Sequence, residues 1–182
     1  MGHYERSTVL SVSVIFFTFG IGAWVIGLYL IGMGSEPTEE EGNNPLLTVG
    51  WIELIVGLIL ASQVFVLLQQ TNLGIVAGLV GLFALFFTAF GVALIKGADL
   101  RPIGNLAIPV GILAALYTPF EAFTGGFFIF QSSAIWWGIV FLLIAGFTYG
   151  KVGAKLLGWA LVITAVWGFL PAVYLVLEVD FF

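Results

Sequence analysis

The residues of this chain that can do chemistry are few, and most of them interrupt long apolar runs. Glu53 and Gln63 sit ten residues apart inside the run 46–68. At about 3.6 residues per turn that is close to three turns, so on a helix the carboxyl and the amide can share a face. Thr88, Thr148 and Thr164 are hydroxyls within other apolar runs, and Asn105 and Thr118 add two more polar groups. Carboxyl, amide and hydroxyl groups in greasy surroundings offer hydrogen bonds to a polar guest, and each is costly enough there to be informative. Each threonine has a second outlet in its own helix backbone. Glu53, about two turns into its run, has a second outlet at the membrane interface. Nothing in the set is arranged for catalysis. The only histidine is His3 and there is no cysteine, which removes a zinc cluster, a thiolate nucleophile and disulfides together. With no phosphate loop either, the chain reads as a non-enzyme that needs no cofactor and no metal. It also lacks the intramembrane Asp or Lys of a proton-coupled pump, so the inventory fits passive movement of a small neutral solute.

The elements that hold these groups follow from composition. The 182 residues are 61% hydrophobic and only 8% charged, against about 25% charged in a typical soluble domain. Too little polar surface is left to face water, so lipid is the solvent. Five Lys and Arg residues scattered along the chain make no basic stripe, and nucleic acid is not an expected partner. A spanning helix needs roughly 20 apolar residues, and six runs qualify: 8–32, 46–68, 73–95, 103–119, 132–149 and 156–177. They predict an all-α protein, a six-transmembrane-helix bundle in one membrane domain. The runs are continuous, whereas strands of a membrane barrel alternate apolar and polar. The first run is too long for the apolar core of a signal peptide and reads as a spanning helix.

Orientation comes from Lys and Arg. Six spans put Arg6 on one side and Lys96, Arg101, Lys151 and Lys155 on the other. This places the Asp99-Leu100-Arg101-Pro102 turn and the Lys151–Lys155 turn in the cytoplasm, with both termini outside. Without a hydrophobic drive between helices in lipid, small residues must let them approach. Gly20, Gly27 and Gly34 recur every seven residues, and Gly74, Gly78 and Gly81 form a second stripe. Trp51 and Trp159 near helix ends suit interfacial belts. Phe83, Phe86, Phe87 and Phe90 share one mid-helix face, and Trp137 and Phe141 are an i, i+4 pair. Such faces make either protein core or a slot lined by flat rings. A slot of that kind admits small planar molecules and excludes hydrated ions, because it offers nothing to replace their water.

The order of these features resembles the AmiS/UreI family of urea and short-chain amide channels. The aromatic cluster leads to Asp99 and Arg101-Pro102, then to Leu116-Tyr117-Thr118-Pro119, Ile135-Trp136-Trp137, Trp159 and Leu170-Pro171-Ala172. The resemblance implies six helices, outside termini and a homo-oligomer, a hexamer, in which each protomer has its own pore with two constrictions. It assigns the constriction to Phe19, Ala23, Phe86, Phe90, Trp137, Phe141 and Phe147. The polar groups within the apolar runs, Glu53, Gln63, Thr88, Thr148 and Thr164, are the polar pore-lining candidates. The chain departs from the family at three positions. Ile26 stands where an Asn is expected, Ile144 where a Trp is expected, and Ile163 or Thr164 where an acid is expected. The histidine-rich outside loops of acid-gated members are absent, so gating by external acid through histidine is not expected.

The sequence therefore predicts a passive channel for small neutral solutes of the urea or short-chain amide type, with the lipid bilayer as its surroundings. Two other classes stay open: a structural or accessory subunit of a larger membrane assembly, and a small-carboxylate transporter of similar length.

Overall fold

A computed structural model describes residues 3–35, 44–70, 73–117 and 128–177. Among them it forms six α-helices and no strand: α1 (His3–Ile31), α2 (Pro45–Leu68), α3 (Gly74–Lys96), α4 (Arg101–Leu116), α5 (Phe128–Thr148) and α6 (Ala154–Leu177). The all-α class is as expected, and the boundaries move by a few residues. α1 starts at His3, ahead of its apolar run, and α5 starts at Phe128 instead of Ser132. α4 takes Pro102 into its first turn, where the missing N–H costs no hydrogen bond. Its expected end at Pro119, with Thr118, lies outside the described residues. Among the described residues five helices are long and apolar enough to cross a membrane. α4 has 16 residues, roughly 24 Å at ~1.5 Å per residue, which is short of a hydrocarbon core of about 30 Å.

Local chemistry sets the ends. Asn44 caps α2 by accepting the Leu46 N–H at 3.0 Å, with Pro45 next in line. α3 stops at Gly97, whose φ of 60° is left-handed, and the Ala98 N–H closes on the Ala93 carbonyl at 2.9 Å. That sharp stop brings Asp99 and Arg101 directly onto the start of α4.

The helices form a closed ring in chain order. Each packs against the helix before it and the helix after it, and α1 closes on α6. The ring is uneven. The pairs α1–α6, α2–α3 and α4–α5 pack most extensively, while the seams α1–α2, α3–α4 and α5–α6 are looser.

Glycines explain the unevenness, because every tight pair has glycines at its crossing. A Cβ on Gly27 would lie 3.0 Å from the Gly158 carbonyl, and one on Gly158 would lie 2.9 Å from the Gly27 carbonyl. Gly111 and Gly138 face each other's carbonyls at 2.9 Å in the same way. In the α2–α3 pair, a Cβ on Gly91 would collide with the Leu54 backbone nitrogen and come 2.7 Å from the Gly50 carbonyl. Backbone cannot step aside as a side-chain tip can, so these are true contact points. The stripes read from sequence are corrected in part. Gly20 and Gly27 do face α6, but Gly34 lies past the end of α1 at φ 70° with nothing near it. Gly74 touches nothing within 4 Å, Gly78 meets only the Tyr117 hydroxyl, and Gly81 makes ordinary contact with Val64 at 3.8 Å. The close approach of α3 is made by Gly91 instead.

Replacing Gly91 by Ala should destabilise the bundle by about 1–3 kcal/mol through overpacking. The same change at Gly74 should be neutral or stabilising by roughly 0.4–1 kcal/mol. Thermal unfolding in detergent, followed by circular dichroism, compares the two.

Candidate functional site

A cavity of about 170 Å³ runs from the middle of the bundle to the end that carries the α3–α4 and α5–α6 turns. Its wall comes from α1 (Phe19, Ala23, Ile26), α3 (Phe86, Phe87, Phe90, Leu94), α5 (Val140, Phe141, Ile144, Phe147) and α6 (Leu157, Leu161). At the end nearer the turns it is bounded by Tyr29, Leu30, Leu46, Leu100 and Thr148. Six of the seven residues expected to form a constriction therefore share one wall: Phe19, Ala23, Phe86, Phe90, Phe141 and Phe147.

The seventh, Trp137, is not in that wall. It lies about one helical turn deeper than Phe141, in an aromatic layer that floors the cavity. Its ring sits 5.0 Å from that of Phe19, 5.4 Å from Phe16 and 5.4 Å edge-on to Phe83. Phe83 in turn stacks on Phe141 at 5.4 Å, and Phe86 meets Phe141 edge-on at 4.8 Å. Tilted, stacked and edge-on pairs at these separations are the favoured aromatic geometries, worth about 0.5–1.5 kcal/mol each beyond burial. All of these rings are buried. They come from α1, α3 and α5, alternate members of the ring, which is why they converge on its middle.

The polar candidates do not gather around the cavity. Thr148 alone of them lines it, and its hydroxyl donates to the Ala145 carbonyl at 2.8 Å. Thr164 is buried to one side, donating to the Ala160 carbonyl at 2.7 Å and accepting the Trp136 Nε1–H at 2.9 Å. Thr88 packs against Gly57 in the α2–α3 pair. Gln63 is half-buried beside Ser62, away from the cavity wall. Glu53 is fully buried, so it does not reach an interface, yet it does not line the cavity either. It lies in the α1–α2 seam near Gly22 and Phe87, and neither carboxyl oxygen has a hydrogen-bond partner among the described residues. The two residues expected to share a face are therefore apart. Ten residues are nearly 2.8 turns, which leaves their directions about 80° from each other. Asn105 is exposed and accepts the Tyr149 hydroxyl at 2.5 Å. Among the described residues no His, Cys, Asp or Glu cluster comes together.

Leu100 is the wall residue that explains the charged turn. The Arg101 side chain donates Nε–H to Asp99 at 2.8 Å and an Nη2–H at 2.5 Å, and the Arg101 backbone N–H donates to the same carboxylate at 2.9 Å. The residue between them is thereby fixed at the cavity's end. Its apolar type gave no signal in the sequence, although its charged neighbours did.

No protein-family model and none of the curated proteins matches the sequence. A solved structure does match: the cryo-EM structure of the Helicobacter pylori urea channel in its closed state. The TM-score is 0.62 at 14% identity, covering 91% of this chain and 97% of that one. The chain has the urea-channel fold. The likeness read from the ordered motifs thus holds at the level of fold, with aromatic rings flooring the interior cavity. Two of the three departures noted in the sequence fall on the cavity wall of this urea-channel fold. Ile26 and Ile144 both line it, Thr164 is buried beside it, and Ile163 is exposed.

The Arg101 hydrogen bonds hold the Asp99 carboxyl below its ordinary value of 3.8, and Asp99 in turn raises Arg101. A lowered carboxylate contributes stability that is present above the ordinary value and is lost as pH falls through the lowered one. A ¹³C titration of Asp99 should therefore give a midpoint below 3.8. Arg101→Gln should return it toward the ordinary value, and stability should change little because the pair is exposed.

Proposed function

We propose that the protein is a passive channel for small neutral solutes of the urea or short-chain amide type. It works as a single membrane domain with one route through each protomer and no energy input. The observation that carries the reading is a half-route: a cavity that reaches from one end of a urea-channel fold to its middle and stops on a layer of aromatic rings. The rings offer a hydrated ion no substitute for its water, whereas a small planar molecule can slide between them once they part. On this reading the conformation is a closed one. Opening requires shifts among Phe19, Phe83, Trp137 and Phe141, which come from three different helices. Phe86, Phe90 and Phe147, with Ala23, form the constricting wall on the cavity side of that layer. Protomers assemble as a homo-oligomer, a hexamer by the resemblance.

Stopped-flow swelling of proteoliposomes with urea, acetamide and glycerol tests the channel. Urea or acetamide should enter several-fold faster than into protein-free vesicles. Phe83→Leu, which thins the layer, should raise that rate further. Rates equal to those of bare vesicles for all three solutes remove the channel reading. They would favour the second one, a non-conducting subunit, which the closed aromatic layer also suits.

The Lys96, Arg101, Lys151 and Lys155 end is assigned to the cytoplasm, and the cavity therefore faces inward. With no native cysteine, Lys151→Cys is a clean reporter. A membrane-impermeant maleimide should label it only after cells are lysed, and labelling of intact cells would reverse the orientation.

A further inference from the structure

The wall of the cavity sets the chemistry its occupant meets, and that wall is almost entirely carbon. Ala23, Ile26, Phe90, Leu94, Ile144 and Leu161 carry no polar side-chain atom. Among the described lining residues only two carry a hydroxyl, and both belong to the end nearer the turns. Thr148 spends its proton on the Ala145 carbonyl, which leaves only its lone pairs for a guest. Tyr29 is half-buried. Urea brings two NH₂ groups and a carbonyl, more than two hydroxyls can satisfy, and a polar group stripped of water without a partner is penalised. An aliphatic amide exchanges one NH₂ for a carbon chain that this wall welcomes. Each buried CH₂ favours binding about fourfold. The volume suits such a guest. Apolar cavities of roughly 150 Å³ take up benzene, which has six heavy atoms, as butyramide does.

We propose that the cavity is a binding site for aliphatic amides of about butyramide size and that it discriminates against urea. The alkyl end points at the aromatic floor, and the amide end points at Thr148 and Tyr29. The Thr148 oxygen accepts an amide N–H. Ile26 on α1 and Ile144 on α5 set the preference by presenting carbon where a urea NH₂ would need a partner. This assignment rests on the channel reading above and narrows its solute class.

The test uses the full chain in lipid nanodiscs, with saturation-transfer NMR on acetamide, propionamide and butyramide and with protein-free nanodiscs as background. Butyramide should bind saturably, roughly fifteenfold more tightly than acetamide, as two CH₂ groups predict. Urea at the same concentration should not displace it. Ala23→Phe fills the cavity and should abolish binding. Ile144→Trp, at a half-buried position, is the second filling variant should the first fail to fold. Three results overturn the proposal: no saturable butyramide signal above background, displacement by urea as effective as by unlabelled butyramide, or unchanged binding in a folded filling variant. Amide flux without cavity binding overturns this proposal and leaves the channel standing. Saturable binding without flux of any solute does the reverse.

Discussion

Everything in this bundle depends on backbone meeting backbone at a few glycines. Lipid tails are as apolar as leucine, so burial of side chains gives helices no reason to associate in a membrane. Close approach does, because dispersion contacts accumulate only when atoms touch. Gly27 with Gly158, Gly111 with Gly138, and Gly91 with Gly50 and Leu54 supply that approach in three helix pairs. Two of the pairs are neighbours in the chain, and the third joins the first helix to the last. Three locked pairs joined by three looser seams make a ring, and a ring has an inside.

What fills that inside follows from which helices turn their aromatic faces toward it. α1, α3 and α5 alternate around the ring, and each brings bulky rings to the same depth. Phenyl and indole rings cannot interdigitate as aliphatic chains do. They tile, edge to face and face to face, and the tiling closes at the level of Phe83 and Trp137. Toward the turns Ala23, Ile26, Ile144 and Leu161 take part of the wall, beside Phe90 and Phe147. The cavity lies where the rings contributed by α1 and α5 give way to Ala23, Ile26 and Ile144. What this wall offers is burial rather than hydrogen bonds.

Much of this was legible in the sequence, for reasons that differ by residue. The helices were, because apolar runs of spanning length have few other solutions in lipid. The shared face of Phe83, Phe86 and Phe87 was, because the 3.6-residue period is local. Phe19, Ala23 and Phe147 were singled out only through family resemblance, since nothing in their own surroundings marks them. Gln63 was misplaced because its angular offset from Glu53 was taken as smaller than it is. The working glycines were not separable from the others. Gly74 and Gly91 lie on the same helix, and only the position of α2 decides that one meets backbone and the other meets nothing. Leu100 was hidden for a similar reason: the Asp99–Arg101 bracket is visible as a turn, but the cavity it bounds is built by residues far away in the chain.

Glu53 shows how the unevenness of the ring accommodates a costly group. Among the described residues it is the one acid inside the spanning segments, and it has neither water exposure nor a hydrogen-bond partner there. A polar group in that condition costs on the order of several kcal/mol in hydrocarbon surroundings. In one of the glycine-locked pairs it would also have to displace backbone. It lies instead in the α1–α2 seam, where packing is less extensive and where Gly22 gives up its side chain to make room: a Cβ there would stand 3.0 Å from the carboxyl oxygen. Phe87 flanks the same spot and also lines the cavity. Glu53 thus sits in one of the looser seams of the ring, beside a residue, Phe87, that also lines the cavity.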